Sequence, residues 1–210
     1  MQRLYLLRHA APALPAGSSF CLGQRSDPPL SAEGRAEAAA LSHWFSGREI
    51  RALGASPLLR CQQTVQLLFP GTQFCVLPGM AELDCGAWDG LSFEEIRAKY
   101  PEQYARRGED PSLPPPGGES LPAAAARGIA ALRDFLSRAE GDALVVAHAG
   151  INRALLCALL NKPFREVHSL PQGYLSLNLM QFDGAEFCVE AVGLDRFNLS
   201  EGSVFREKTL

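Results

Sequence analysis

The chain has 210 residues, of which 47% are hydrophobic and 20% are charged, and these ordinary values for a folded globular protein exclude disorder as its main state. The length favours a single domain, residues 1–210, over two independent ones. With 20 Lys and Arg against 23 Asp and Glu, the net charge is −3, so the chain lacks the basic excess typical of nucleic-acid binding.

The spacing of the cysteines and the length of the apolar segments indicate the cellular compartment in which the protein is expected. None of the six cysteines has C-x-x-C spacing, so neither a zinc ribbon nor a dithiol motif is expected. The longest apolar stretch, 143–160, is interrupted by polar side chains, and the N-terminal apolar run is too short for a signal peptide. We therefore expect a cytoplasmic protein with no membrane span. Four cysteines in apolar surroundings are expected to be reduced and buried: Cys61, Cys75, Cys157 and Cys188.

The first two predicted elements are a buried strand and a capped helix. The apolar run Leu4–Leu7 is typical of a strand that is buried on both faces of a parallel sheet. Arg8 and His9 follow it directly. After a loop rich in Gly, Pro and Ser, Ser31 is placed to cap a helix that continues to about Phe45.

The next strand and helix place a second arginine after a strand end. The apolar segment Ala52–Ala55 leads into Ser56-Pro57, where we expect a capping serine and a proline in the first helical position. The helix is predicted over residues 58–69. Arg60 then lies in the first helical turn, directly after a strand.

The rest of the chain continues this alternation. A stretch rich in Pro and Gly, 110–118, predicts a surface loop. Two alternating apolar runs around Asp183-Gly184 predict an edge hairpin. The other predicted elements are a strand at Phe74–Leu77, helices at about 92–106 and from 120–122 to Arg138, a strand at Ala143–Ala147, a helix at Ile151–Leu160, and hairpin strands at Leu175–Met180 and Glu186–Val192.

The order of these elements predicts the fold class. Strands separated by helices of roughly 10 to 20 residues are typical of α/β proteins, so we expect a three-layer α/β/α sandwich around a mostly parallel central sheet. No internal repeat or shift in composition divides the chain.

Three predicted strand ends carry the side chains with the clearest chemistry. His9 follows the first strand next to Arg8, Arg60 follows the second, and His148 follows the strand Ala143–Ala147. Because ligands in open α/β sheets bind beyond the carboxyl ends of the strands, these side chains are expected to share one site. Each histidine alone could be a cap or a core residue. The position of both histidines at strand ends, together with the two arginines, favours a shared functional site over two separate structural roles.

Two arginines beside two histidines favour a phosphoryl group as the ligand. Guanidiniums pair in a bidentate manner with tetrahedral oxyanions, and histidine can act as nucleophile and hydrogen-bond donor. Neighbouring cations disfavour protonation of an imidazole, so a histidine in this setting is expected to be neutral at pH 7. The alternative is a metal site, which adjacent arginines would disfavour by repelling a dication. Its ligands would be His9, His148, Glu82 and Asp84.

Four ordered segments resemble the signature blocks of a known family, the phosphoglycerate-mutase-like branch of the histidine phosphatase superfamily. The segments are LRH at 7–9, SPLLRCQQT at 56–64, ELDCGAWDG at 82–90 and AHAG at 147–150, and GGES at 117–120 is similar to a further family segment. The resemblance extends from residue 4 to about 180. It implies a phosphoglycerate-mutase-like sandwich, with an insertion or lid at about 86–121.

The resemblance also implies roles for five residues. His9 is expected to accept the phosphoryl group as a phosphohistidine, and Arg8, Arg60 and His148 to bind and stabilise that group during transfer. Glu82 matches the family residue that protonates the leaving oxygen. No metal and no cofactor are implied.

Three further positions are expected to contact the substrate or its phosphate: Gly23, Gln24 and Ala149. The chain departs from the family pattern at Ala10, where most members have Gly, and at Ala11, where a polar residue is common. These departures affect the expected shape of the pocket floor.

The leading functional hypothesis is a metal-independent phosphomonoesterase that acts on a small phosphorylated metabolite. A phosphoglycerate-type mutase and a non-catalytic phosphate-ligand binder of the same fold are the alternatives. Among phosphatases of this branch, the HAGINR run at 148–153 and the CLGQ loop at 21–24 are most similar to α-ribazole-phosphate phosphatases of cobalamin biosynthesis.

Overall fold

A six-stranded mixed sheet forms the centre of the protein, whose computed structural model describes residues 1–15 and 19–195. The strand order is β3-β2-β4-β1-β5-β6. The first four strands in this order run parallel, whereas β5 is antiparallel to β1 and to β6. The strands are β1 (Gln2–Arg8), β2 (Ile50–Ala55), β3 (Cys75–Val76), β4 (Asp142–Ala147), β5 (Leu177–Phe182) and β6 (Phe187–Leu194).

Helices cover both faces of this sheet, which confirms the predicted three-layer α/β architecture. Alternate residues of β1 face opposite layers, because successive strand side chains point to opposite faces. Leu4 and Leu6 pack with α5 and α6, and Tyr5 and Leu7 pack with α1 and α2. The α-helices are α1 (Ala32–Phe45), α2 (Leu59–Leu68), α3 (Phe93–Lys99), α4 (Pro101–Glu109), α5 (Leu121–Arg138) and α6 (Ala149–Leu159).

Of the two predicted helix caps, the structure confirms one and contradicts the other. Ser31 caps α1 as predicted, since its Oγ accepts a hydrogen bond from Gly34 N at 2.9 Å. The predicted cap at Ser56 is wrong, because α2 begins at Leu59 and has no cap from its own preceding side chains. The carboxylate of Asp27 supplies the cap from another loop, accepting from Leu59 N at 2.8 and 2.9 Å.

Two other element predictions are corrected. The single helix predicted over 92–106 is two helices, α3 and α4, because Pro101 has no N–H to donate and holds Tyr100 out of the helical region at φ −133° and ψ 51°. The strand predicted at Phe74–Leu77 shortens to Cys75–Val76.

All six cysteines are free thiols, but only some are buried. Cys61 and Cys157 are buried as predicted, whereas Cys75 and Cys188 are exposed. Cys75 lies on the edge strand β3 and Cys188 on the edge strand β6, which have a neighbouring strand on one side only. None of the helices in the described part of the chain combines the length and the apolar character that crossing a bilayer requires.

Candidate active site

The carboxyl ends of β2, β4 and β1 lie side by side in the sheet and open into one cavity of about 620 Å³. Arg8 ends β1 and His9 follows it, Arg60 lies in the first turn of α2 after β2, and His148 follows β4. The structure therefore brings the four predicted phosphoryl-binding side chains together at one edge of the sheet. Glu82, from the loop after β3, lines the same cavity.

His9 has one ring nitrogen held by the backbone and one that is free. The Nδ1 atom lies 2.7 Å from the carbonyl oxygen of Ala10. A carbonyl can only accept, so Nδ1 carries the proton and Nε2 keeps its lone pair. Burial lowers the pKa of His9 well below its ordinary value, and the guanidiniums of Arg8 and Arg60 lower it further. The imidazole is therefore neutral at pH 7, as expected.

His148 is fully buried, and protein groups hold both of its ring nitrogens. Arg60 Nε donates to Nδ1 at 3.2 Å, so the ring proton lies on Nε2, which donates to Ser56 Oγ at 2.6 Å. The centroids of the His9 and His148 rings are 5.1 Å apart. Burial lowers the pKa of His148 well below its ordinary value, with a smaller contribution from Arg60.

Arg60 is 1% exposed and contacts the loop that precedes α1. Besides His148, its guanidinium donates to Ser26 O at 2.8 Å and to Gly23 O at 3.3 Å, and it lies 3.6 Å from Asp27 Oδ1. A guanidinium has five N–H donors, so two remain for a ligand.

Arg8 presents a donor that no described residue satisfies. Its Nη1 donates to Gln172 O at 2.6 Å, and its guanidinium lies 3.9 Å from the centre of the Tyr174 ring. Its buried Nε has no hydrogen-bond partner among the described residues. Burial lowers the pKa of Arg8. An unsatisfied buried donor is costly, so this position suits an anionic ligand.

The carboxylate of Glu82 is held at the start of α6. Its oxygens accept from Gly150 N at 3.0 Å, from Ile151 N at 2.9 Å and from Leu83 N at 2.9 Å. Free backbone N–H groups at a helix N-terminus attract a carboxylate. Gly150 permits this approach, because a Cβ at that position would lie 2.5 Å from Glu82 Oε1.

The remaining predicted contact residues lie in different places. Ala149 lines the cavity at the start of α6. Gly23 lies behind Arg60 and contributes its carbonyl, whereas Gln24 is exposed and is not a lining residue. Ala10 is fully buried in the core, so its methyl group does not form the pocket floor.

Sequence reasoning missed several residues of the site. Arg107, Arg153, His168 and Tyr174 line the cavity. Arg153 falls within the HAGINR run, and its position in the first turns of a helix that follows a strand end was the available signal. His168 lies in the short 3-10 segment Phe164–Ser169 and Tyr174 lies in a turn, and neither has a regular sequence pattern, so the sequence offered no signal for them.

The residues of the alternative metal site do not assemble as a ligand cluster. Within residues 1–15 and 19–195, no three His, Cys, Asp or Glu side chains lie together in a group that could hold a metal ion. Asp84 accepts instead from Gly86 N at 2.9 Å and pairs with Arg25 at 3.4 Å.

An α/β sheet with two imidazoles and two guanidiniums at neighbouring strand ends defines an enzyme that handles phosphoryl groups. The chain belongs to the histidine phosphatase superfamily, branch 1, whose family model matches residues 4–195. It is an enzyme of the phosphatase class, and several of its relatives carry phosphatase names.

Three comparisons illustrate these relationships. The chain is 33% identical over 165 residues to phosphoserine phosphatase 1 of Hydrogenobacter thermophilus, covering 76% of this chain and 77% of that protein. It spans about half the length of its curated mycobacterial relatives. A mycobacterial glucosyl-3-phosphoglycerate phosphatase, solved with vanadate, superposes with a TM-score of 0.81 at 27% identity, covering 93% of this chain and 100% of that one. The α-ribazole phosphatase of Shigella flexneri has a TM-score of 0.78 at 20% identity, covering 91% and 96%, and shares the fold.

Proposed function

We propose that the chain is a metal-independent phosphomonoesterase that forms a phosphohistidine on His9 and then hydrolyses it. The observation that carries the proposal is the free Nε2 of a neutral, buried imidazole beside an unsatisfied donor of Arg8. A nucleophile with a free lone pair next to an unpaired cationic donor suits transfer of a phosphoryl group.

In the first step, His9 Nε2 attacks phosphorus, the N–P bond forms, and the ester P–O bond breaks. The transition state spreads negative charge over three equatorial oxygens. The donors left on Arg8 and Arg60 are placed to stabilise that charge without reorganisation, because the protein already holds both guanidiniums. His148 supports this stabilisation indirectly, because its Nδ1 accepts a hydrogen bond from Arg60 and its ring lies next to the ring of His9.

The leaving alkoxide requires a proton, which we assign to Glu82. This side chain lines the cavity and is held by the start of α6. In its protonated form it gives the proton to the ester oxygen, and in the second step the carboxylate accepts one from the water that attacks the phosphohistidine. General acid catalysis of this kind contributes roughly 10²–10⁴-fold.

We also propose that the chain works as one domain in which residues 86–121 cover the mouth of the site. Support comes from Trp88, Tyr104, Arg107 and Pro115, which belong to this segment and line the cavity.

The substrate is proposed to be a small phosphorylated metabolite. The names of similar proteins include a phosphoserine phosphatase and a glucosyl-3-phosphoglycerate phosphatase. α-Ribazole 5'-phosphate is a candidate because residues 148–153 and 21–24 resemble the corresponding segments of α-ribazole-phosphate phosphatases.

A panel of phosphomonoesters tests this function. Phosphate release from α-ribazole phosphate, phosphoserine, 3-phosphoglycerate and p-nitrophenyl phosphate is measured without added metal, with EDTA, and with vanadate. We expect turnover that survives EDTA and is inhibited by vanadate. Loss of activity on chelation, restored by zinc or manganese, would contradict the proposal. Isomerisation of 3-phosphoglycerate without phosphate release would indicate a mutase.

A further inference from the structure

Two cysteines that the proposed mechanism does not use lie together in the wall of the cavity. Cys21 and Cys85 both line it, and a hydrogen bond joins their thiols. Both thiols are free, with Cys85 buried and Cys21 half-buried, and they pack in one cluster with Trp88. A small molecule that enters the cavity therefore meets two thiols that already contact each other.

The backbone holds the two thiols in contact. Cys21 N donates to Leu91 O at 2.9 Å, and Gly90 N donates to Cys21 O at 2.8 Å. Two residues further along the chain, Gly23 N donates to Asp89 Oδ1 at 3.1 Å. These hydrogen bonds fix the loop of the first cysteine against the loop that carries the second, so the contact between the thiols is part of the fold.

The two thiols differ in chemical character. The hydrogen bond from the Cys85 thiol lowers the pKa of Cys21, and Arg107 lowers it further, although burial opposes both effects. The same hydrogen bond raises the pKa of Cys85, and burial adds to the rise. The thiolate is the reactive form of cysteine, so Cys21 is the nucleophile and Cys85 the resolving thiol of the pair. Burial raises the pKa of Cys61, which has no comparable reactivity.

We propose that Cys21 and Cys85 are a modification site at which a hydroperoxide forms an intrachain disulfide that slows turnover. The chemical class of the reactant follows from the pair, because an accessible thiolate beside a resolving thiol is the arrangement that peroxides oxidise reversibly. Disulfides of this kind in reducing compartments are usually transient and serve in redox sensing.

The oxidation has two steps. In the first, the Cys21 thiolate attacks the O–O bond of the hydroperoxide, an S–O bond forms, and the other oxygen leaves as an alcohol, or as water from hydrogen peroxide, after taking up a proton. In the second, the Cys85 sulfur attacks the sulfenic acid, the S–S bond forms, the S–O bond breaks, and water leaves with the Cys85 proton. The two thiols together lose two electrons, which reduce the O–O bond.

The effect on turnover rests on the proposed function. A disulfide brings the sulfur atoms to about 2.05 Å, closer than a hydrogen bond between thiols allows, so at least one of the two loops must move. The first loop carries Gly23 O, which accepts from Arg60 at 3.3 Å, and the second begins at Glu82. A misplacement of about 1 Å can cost 10²-fold in rate, so we expect kcat/KM for alkyl phosphates to fall by about 10-fold or more.

Peroxide treatment of the full chain tests the site. The protein is incubated with hydrogen peroxide, its remaining thiols are alkylated, and the cross-linked peptide is identified by mass spectrometry. The value of kcat/KM is measured before treatment, after it, and after reduction with dithiothreitol. The variants are Cys21→Ser and Cys85→Ala, and the control is the double variant Cys75→Ser/Cys188→Ser, which removes two exposed thiols that do not line the cavity.

We expect the wild type and the control to gain the Cys21–Cys85 link, to lose kcat/KM by about 10-fold or more, and to regain it on reduction. Cys21→Ser and Cys85→Ala should each lack the link and keep their own untreated kcat/KM. The link in the wild type is detected by mass, so a folding defect in either variant does not affect that result.

The unfavourable outcomes have different meanings. Absence of the link in peroxide-treated wild type, or inactivation of the wild type that both single variants share, would overturn the inference. A link with unchanged kcat/KM would overturn the effect on turnover. Absence of phosphatase activity before treatment would overturn the proposed function, whereas the presence or absence of the link would still decide whether the thiols are a modification site.

Discussion

The hydrogen bond between His9 Nδ1 and Ala10 O, 2.7 Å long, decides which ring nitrogen can react. It fixes the proton on Nδ1 and leaves the lone pair on Nε2, the atom that we propose attacks phosphorus. The accepting group is the backbone carbonyl of residue 10, so any amino acid at position 10 could accept this hydrogen bond. The alanine found where the family usually has glycine therefore leaves this backbone contact of His9 intact.

The variant Glu82→Gln tests whether Glu82 donates the proton to the leaving group. A glutamine keeps the shape of the side chain but cannot deliver the proton that an alkoxide needs, whereas nitrophenolate leaves as a stable anion. We expect kcat/KM for alkyl phosphates to fall by roughly 10²–10⁴-fold more than kcat/KM for p-nitrophenyl phosphate.

Asp84→Asn is the matched control, because Asp84 lies in the same loop and its carboxylate accepts from Gly86 N. It should not separate the two substrate types. Equal losses on both substrates for Glu82→Gln would assign Glu82 to substrate positioning or loop support. Separation by Asp84→Asn would assign the acid to Asp84.

At the scale of elements, the N-terminus of α6 does more than carry Ala149 into the cavity. Its backbone N–H groups at Gly150 and Ile151 fix the carboxylate of Glu82, which comes from a distant part of the chain. The approach is close enough that a methyl group at position 150 would collide with both Glu82 and Leu83.

Gly150→Ala should therefore displace Glu82 and lower kcat/KM for alkyl phosphates on the order of 10²-fold, as a misplacement of about 1 Å can. Alanine is the better helix former, so lower helix propensity cannot explain such a loss. Gly47→Ala is the control, because nothing lies within 4 Å of a Cβ there. Unchanged kinetics in Gly150→Ala would show that Glu82 does not depend on this contact.

Local sequence patterns predicted the parallel strands, α1 and α5, since apolar runs and caps determine these elements. They failed at Ser56, whose hydroxyl accepts from Leu58 N, before the helix begins, and from a histidine 92 residues away. They also failed where Pro101 divides one helical pattern into two helices. The first failure depends on tertiary contact, but the second could have been read from the proline.

The candidate site shows the same division. His9, Arg60 and His148 could be placed together because strand ends of a parallel sheet meet at one edge. His168 reaches the cavity from the 3-10 segment Phe164–Ser169 and Tyr174 from the turn before β5, and the paths of both depend on tertiary packing. No periodicity in the sequence encodes such a path.

At the scale of the whole molecule, the buried histidines couple stability to pH. The pKa of His9 and that of His148 both lie well below the ordinary value of 6.5, chiefly through burial. Below that value the unfolded chain binds more protons than the folded one, so protons favour unfolding. The stabilisation is complete above about pH 6.5 and is lost as the pH falls toward the folded pKa values.

Denaturant unfolding between pH 7.5 and 5.5 measures this coupling. The free energy of unfolding should fall below pH 6.5 with a slope that approaches about 1.4 kcal/mol per pH unit for each buried histidine. His148→Gln should lower that slope by up to about 1.4 kcal/mol per pH unit, while His43→Gln, a change at an exposed helix position, should leave it intact. An unchanged slope in His148→Gln would show that His148 titrates alike in both states.

Trapping the phosphoenzyme shows whether His9 carries the phosphoryl group during turnover. The enzyme is mixed with ³²P-labelled substrate, quenched in alkali within milliseconds, and the labelled peptide is identified. We expect an acid-labile, alkali-stable label on His9 in the wild type, and neither label nor turnover in His9→Asn with its melting temperature retained. A His9→Asn variant that keeps a tenth of the wild-type rate, or a label on another residue, would contradict this expectation.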